Sequence, residues 1–406
     1  MKKFHLRALS PQAAESLRLA GVQGFFWAAM AVGNYQSVYL QNNGFPAARF
    51  GLLNAIACAV SILAMTFWGA VSDKTGSVRK IVILTLTLGC GLYAFVPLIP
   101  TGQPYSSLLF LIIIPALSFF RTPMAPFVDN LTVRNCAEQG LNYGVIRSSG
   151  SFLFAITGVL VVNLLIPNLG ITSTFWAMGL VMLVAITLTW FCHEPQGGGQ
   201  RAKKTRSGSG ELFRNPKFVT FLVFCFVFQM GMTFESGFMP YLMADLGIDS
   251  TNLGLLLSVK ALMEIPFLFF IAKLRRRFKL HHLIMMGAAL MALEALMFSL
   301  FVHTLPQLLM FAVLYGLGGG LWIGTSTNYI YELAPVHLRA TAHGLFISVS
   351  QISGILSNLL GGVLFDLIGG KPFYSVVAGV FATSIVIFAL SFSIKGKKST
   401  PAPNAN

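Results

Sequence analysis

The sequence predicts an all-α membrane protein with twelve transmembrane helices in two six-helix, pseudo-symmetric halves. Three observations carry that prediction. Of 406 residues, 55% are hydrophobic and only 10% are charged, well below the roughly 25% charged residues of soluble domains. Apolar runs of about 20 residues, the length that crosses a ~30 Å hydrocarbon core, recur from Leu17 almost to the C-terminus. The lysines and arginines behind the formal net charge of +15 fall in alternate connections between those runs, which is the positive-inside pattern and argues against a nucleic-acid partner. No polar–apolar alternation of the β-barrel kind is visible. The 36 phenylalanines and 39 glycines suit lipid-facing surfaces and close helix contacts.

In chain order the predicted spans are 18–40, 48–71, 80–99, 106–130, 141–166, 171–192, 216–244, 251–273, 281–303, 305–332, 341–366 and 372–394. Basic residues gather in KKFHLR at the N-terminus, DKTGSVRK at 73–80, Arg134, 201–217, KLRRRFK at 273–279, Arg339 and the tail KGKK, whereas the other set of connections holds only Arg49 and Lys371. Both termini are therefore expected in the cytoplasm, with an even number of spans between them. The opening MKKFHLRALSPQAAESLRLA has no apolar region directly behind its basic residues, so the first span acts as its own insertion signal. The Gly-, Ser- and Lys/Arg-rich stretch 193–215 reads as a flexible cytoplasmic linker. It separates an N-terminal half, 1–192, from a C-terminal half, 216–394, and residues 395–406 read as a disordered tail. The five cysteines show no metal-ligand spacing and are expected to be free thiols.

The halves echo one another. A basic cluster follows the second span of each, and an acid near the end of each fourth span, Asp129 or Glu332, is followed by Arg134 or Arg339. Two parallel repeats are what alternating-access transporters use, with the solute held near mid-membrane.

At FWGAVSDKTGSVRK, residues 67–80, the chain resembles the major facilitator superfamily, whose loop after the second helix carries this spacing. Gly69, Asp73, Lys74 and Gly76 match it, Ser77 stands where an arginine is usual, and the basic pair moves to Arg79 and Lys80. The resemblance implies a cytoplasmic gate formed by Gly69, Asp73, Lys74, Gly76 and Arg79. A narrower resemblance lies at APFVDNLTVRNCAEQGLNYGVIRSSGS, residues 125–151, which is similar to the oligosaccharide and nucleoside proton symporter branch. It implies a solute contact by Asp129 and by Arg147, the latter in the setting Tyr143-Gly144-x-x-Arg147-x-x-Gly150. Phe234-Glu235 also resembles an aromatic–acid pair of that branch. The tenth span reads LYGLGGGLWIGTS where lactose-type members carry a coupling His and Glu.

Charges inside spans are costly, from about 3 to above 10 kcal/mol at mid-membrane, and so face a partner or an aqueous cavity. Here they are Arg121, Asp129, Arg147, Glu235, Lys260, Glu264 and Glu294. Each is either a structural ion pair fixing helix register or part of the solute and coupling machinery. Asp129 and Arg147 suit a bidentate contact with each other or with solute groups, or a cytoplasmic gate bridge. Arg121 either attracts an anionic group or bridges to a carbonyl or acid. By rise per residue, Glu235 and Lys260 lie at similar depth, and Lys260 also precedes Glu264 by one turn. A lysine between two carboxylates suits proton coupling, and Pro266 loosens the helix beside them. Glu294 shows no evident partner and is expected at a helix interface in its protonated form. Trp27, Asn34, Tyr35 and Gln36 in the first span combine ring faces with amides, the mixture that sugar or nucleoside recognition requires. His343, Gln351 and Asn358 in the eleventh span offer further polar groups, many of which serve only as helix glue.

No P-loop, metal cluster or catalytic triad is present in the sequence, so neither cofactor nor enzyme chemistry is expected. The sequence thus reads as a monomeric secondary transporter of a bacterial-type cytoplasmic membrane, coupling a proton to the import of a small polar solute, a sugar or nucleoside. Proton-coupled efflux of sugars or drugs uses the same parts, and a transporter-like sensor is a third reading.

Overall fold

The computed structural model describes residues 10–195 and 209–393; the N-terminal basic cluster, the middle of the expected linker and the tail lie outside the described residues. The described secondary structure is helical throughout. Ser10 caps α1 (Pro11–Gly33) by accepting from the Ala13 N–H, with proline at the first helical position. The helix breaks at Asn34–Tyr35 and resumes as α2 (Gln36–Asn42). α3 (Ala47–Thr75) ends on Gly76 at φ 64°, a left-handed cap that favours glycine, so the motif glycine at 76 is first a backbone requirement. Ser77 then caps α4 (Val78–Tyr93).

The fourth expected span is two helices, α5 (Ser106–Arg121) and α6 (Met124–Gln139). Pro123 has no N–H to offer the carbonyl four residues back, and the indole of Trp68 donates to that Phe119 carbonyl instead, at 3.0 Å. α6 runs on to Gln139, so Arg134, expected in a connection, sits on a helix. α7 (Tyr143–Leu160) passes through a π-helical turn, Val161–Leu165, into α8 (Ile166–Leu169), and α9 (Ser173–Phe191) follows.

After the short α10 (Ser209–Phe213), α11 (Pro216–Gly237) and α12 (Met239–Asp245) form another interrupted span. Pro240 removes the N–H that would continue the ladder to Ser236, and the break falls at Phe238. α13 (Leu253–Arg277), α14 (Leu280–Phe301), α15 (Leu305–Leu333), α16 (Arg339–Ile368) and α17 (Gly370–Ser393) complete the chain. Among the described residues ten helical segments are long and apolar enough to cross a membrane. The difference from twelve lies at the first and eighth expected spans. α1 is long enough to span, but Glu15, Arg18 and Gln23 dilute its apolar surface, and α13 includes side chains outside the described residues.

The chain divides into two compact units. One runs from the N-terminus through α9 and takes in Gly247–Leu262; the other takes in α10–α12 and everything from Met263 onward. The division cuts α13 between Lys260 and Glu264. Each unit repeats the same internal packing. In the first, α1 lies on α7 and α9, and α4 lies on α9, α5 and α6; in the second, α11 lies on α16 and α17, and α14 lies on α17 and α15. The broken spans, α1–α2 and α11–α12, hold equivalent places in the two repeats. Paired discontinuous helices mark solute sites in transporters of this architecture.

Candidate functional site

In the first unit the close approach of α1 and α7 is set by small residues. Ser149 donates to the Ala20 carbonyl at 2.7 Å, and a Cβ on Gly150 would lie 2.5 Å from Trp27 Cδ1 and 3.0 Å from Arg147 Nη1. The glycine that closes the Tyr143-Gly144-x-x-Arg147-x-x-Gly150 pattern therefore makes room for the tryptophan. The Arg147 guanidinium lies 4.5 Å from the centre of the Trp27 ring, and its Nε is 3.6 Å from Asp129 Oδ1, with about a third of each charged side chain open to solvent. The contact is a single ion pair rather than a bidentate fork, and Tyr143 also meets the guanidinium, which still leaves donors among its five for another acceptor.

Beneath this pair sits Gln23, fully buried and a residue the sequence reading missed. Its amide nitrogen donates to Asp129 Oδ1 and to Thr132 Oγ1, both at 2.9 Å. Its oxygen accepts from Trp27 Nε1 at 3.1 Å. One amide thus fixes the carboxylate and the indole together. Gln23→Leu should leave the Trp27 N–H and one Asp129 oxygen without their partner, at a cost of about 1–3 kcal/mol in stability. We expect a lowered melting temperature and roughly tenfold weaker solute binding, measured on the same purified protein.

The other first-unit residues expected at the solute form a second group. Arg121, at the end of α5, donates from Nη1 to Gln36 Oε1 at 3.2 Å and lies 3.9 Å over the ring of Tyr93. Tyr93 in turn donates to the Gly33 carbonyl at 3.3 Å. Asn34 stands exposed at the helix break between them. Trp27 and Asn34 are separated by about 10 Å along α1.

In the second unit, Glu235 and Glu294 are fully buried. Together with Glu264 they lie within electrostatic reach of Tyr315. Tyr374 donates to the Glu235 carbonyl at 2.6 Å, two residues before the α11–α12 boundary. The glycine run of α15 is what lets these helices close in. A Cβ on Gly320 would lie 2.5 Å from the Glu264 carbonyl oxygen, one on Gly319 would lie 3.2 Å from Glu264 Oε1, and one on Gly318 would lie 2.7 Å from the Gly287 carbonyl oxygen. The stretch LYGLGGGLWIGTS thus trades polar side chains for backbone proximity to the acids. Glu294, which the sequence left without an evident partner, belongs to this group. Lys260 is buried, on the part of α13 that packs with the first unit.

Of the residues expected at a gate, Asp73, Lys74 and Gly76 are exposed and Gly69 is half-buried. Arg79 is engaged within its own unit: Nε is 3.4 Å from Glu194 Oε2, and Nη1 donates to the carbonyls of Cys192 and Trp190 at 2.9 and 3.4 Å. A cation capping the last carbonyls of α9 complements the helix dipole. Ser77, standing where an arginine was expected, donates to the same Glu194 at 2.7 Å. The polar residues of α16 are largely spent on helices: Ser353 donates to the Phe226 carbonyl and Asn358 to that of Gly354.

Membrane-length helices in two like-packed units, with broken spans in equivalent places and charged groups held inside, define a multi-pass membrane transporter. The chain belongs to the MFS_1 like family, whose profile matches residues 16–376. The maltose permease of Geobacillus stearothermophilus is 28% identical over 348 residues, 84% of this chain and 85% of that one. An uncharacterized transporter of Bacillus subtilis (strain 168), YwbF, is 24% identical over 360 residues, covering 86% and 87% of the two chains. The crystal structure of nucleoside transporter NupG superposes with a TM-score of 0.78 at 15% identity, over 95% of this chain and 100% of the other. The fold is that of the major facilitator transporters, and the resemblance to their oligosaccharide and nucleoside branch, read from residues 125–151, agrees with these relatives.

Proposed function

We propose that the protein is a proton-coupled symporter that moves a small polar solute, a sugar or nucleoside, by alternating access. The observation that carries this reading is the Gln23–Trp27–Asp129–Arg147 group. A carboxylate that accepts, a guanidinium with spare donors and an aromatic wall, all partly open to solvent, are the elements that bind a polyol. In this reading Asp129 and Arg147 take solute hydroxyls, while Gln23 and Trp27 hold them in place. Glu235 and Glu264 carry the coupling proton, and Lys260, one turn before Glu264, supplies a counter-charge that changes with conformation. The names of the maltose permease and the NupG nucleoside transporter support this solute class. The working unit is a monomer in the bilayer, and both termini and the linker face the cytoplasm. Counterflow of labelled maltose, glucose and uridine in proteoliposomes, with and without a pH gradient, tests the proposal. Counterflow of one of them, with accumulation only under the gradient, is the expected result, and flux indifferent to the gradient would remove the coupling.

The orientation has its own test. Gly210 is exposed, and a Cβ there meets nothing within 4 Å, so Gly210→Cys should fold normally. It should resist an impermeant thiol reagent in intact cells and react after permeabilisation. Labelling from outside would invert the topology.

A further inference from the structure

We propose that Arg121 forms an anion-binding subsite, so that the preferred solute bears a carboxylate or phosphate group in addition to its hydroxyls. The inference rests on, and narrows, the polar-solute reading above. An arginine within a membrane-spanning segment calls for a partner of opposite charge. Every group that the structure places on Arg121 is neutral: the Gln36 amide oxygen at 3.2 Å, the Tyr93 ring at 3.9 Å, and Gly33, where an added Cβ would lie 3.4 Å from Nη2. Among the described residues no carboxylate lies within ion-pair distance of it. The acid of α6, Asp129, is committed to Arg147 and Gln23.

The guanidinium is nevertheless held in a defined pose. Tyr93 is buried and tied to Gly33 by its own hydroxyl, so the ring forms a fixed floor, and Gln36 takes a single donor from Nη1. The Tyr93 hydroxyl meets the guanidinium as well, and of the five N–H donors that a guanidinium carries the remainder stay available to a planar anion, which arginine binds side-on. Arg121 and Gln36 are half-buried and Asn34 beside them is exposed, so the break between α1 and α2 gives this charge a route to solvent. A purely structural arginine would be expected to use more of its donors on the carbonyls freed at Pro123 and at the helix break; here the freed Phe119 carbonyl is taken by Trp68.

The test compares matched solutes on the purified full chain: glucose against glucuronate for a carboxylate, and glucose against glucose 6-phosphate for a phosphate. In the wild type one acid should bind at least about tenfold more tightly than glucose, the gain of one charge-assisted contact. Arg121→Gln should erase that preference, so that the acid binds no more tightly than glucose on the same variant, and Arg121→Lys should keep part of it. A wild type in which neither acid outbinds glucose overturns the subsite, as does a preference that survives Arg121→Gln. Neutral counterflow without anion preference would sink only the subsite; absence of counterflow for every solute would remove the transport reading as well.

Discussion

Arg147→Lys is expected to weaken solute binding by roughly 30–150-fold, even though it keeps the positive charge, because about 2–3 kcal/mol of charge-assisted hydrogen bonding is lost. The guanidinium does three things at once that an ammonium cannot. It lies 4.5 Å over the Trp27 ring, its Nε faces Asp129 Oδ1 at 3.6 Å, and beyond a contact with Tyr143 it retains donors that the proposed solute can use. Lysine offers a point charge on a flexible stem. It can still neutralise Asp129, so the unit should fold with little change in melting temperature. Asp129→Asn makes the complementary change, removing the charge while retaining an acceptor, and should weaken binding to a similar degree. Titration calorimetry with whichever solute shows counterflow checks both. If each variant bound as the wild type does, the pair would be a helix-register bridge and the solute would sit elsewhere.

Much of this arrangement is legible in the sequence because membrane insertion writes it there. Spans follow from apolar length, but the interruptions at Pro123 and Pro240 do not, since Pro115 and Pro266 lack the same donor and sit inside unbroken helices. The break at Asn34–Tyr35 lacks even a proline. Its residues keep near-helical angles, and nothing in local propensity distinguishes them from a continuing helix. Asp129 and Arg147 stand out as charges among apolar residues. Gln23 does not, because a lone amide in a membrane helix is usually glue, and its role appears only when three partners from two helices converge on it. Likewise the glycines of LYGLGGGLWIGTS read as an absence of chemistry. Their effect is to admit the backbone of α13, and with it Glu264, a relation between helices that no single segment encodes. Glu294 shows the same limit, since its neighbours Tyr315 and Tyr374 lie far from it in the chain.

Uphill transport should disappear in Glu235→Gln or Glu264→Gln while exchange of solute across the membrane persists. A one-unit pH gradient stores about 1.4 kcal/mol per proton, enough for a tenfold solute ratio with one proton per solute. Only a group that gains and loses a proton as the helices move can draw on it. A buried carboxylate meets that need because its charged form is costly without a counter-charge, so any motion that brings or removes one changes its hold on the proton. An amide of the same shape keeps the hydrogen-bonding capacity and gives up the titration. Accumulation in the variant essential for coupling should therefore fall from about tenfold to unity under that gradient, with counterflow within about twofold of wild type. Glu294→Gln separates coupling from mere burial: it removes an acid of the same group on α14, a helix outside the proposed solute group. Loss of accumulation in all three variants would assign the proton to the group as a unit; loss in Glu235→Gln or Glu264→Gln alone would assign it to that residue. Full gradient-driven accumulation in both of those two would make them structural and send the proton elsewhere, with Asp129 the next candidate.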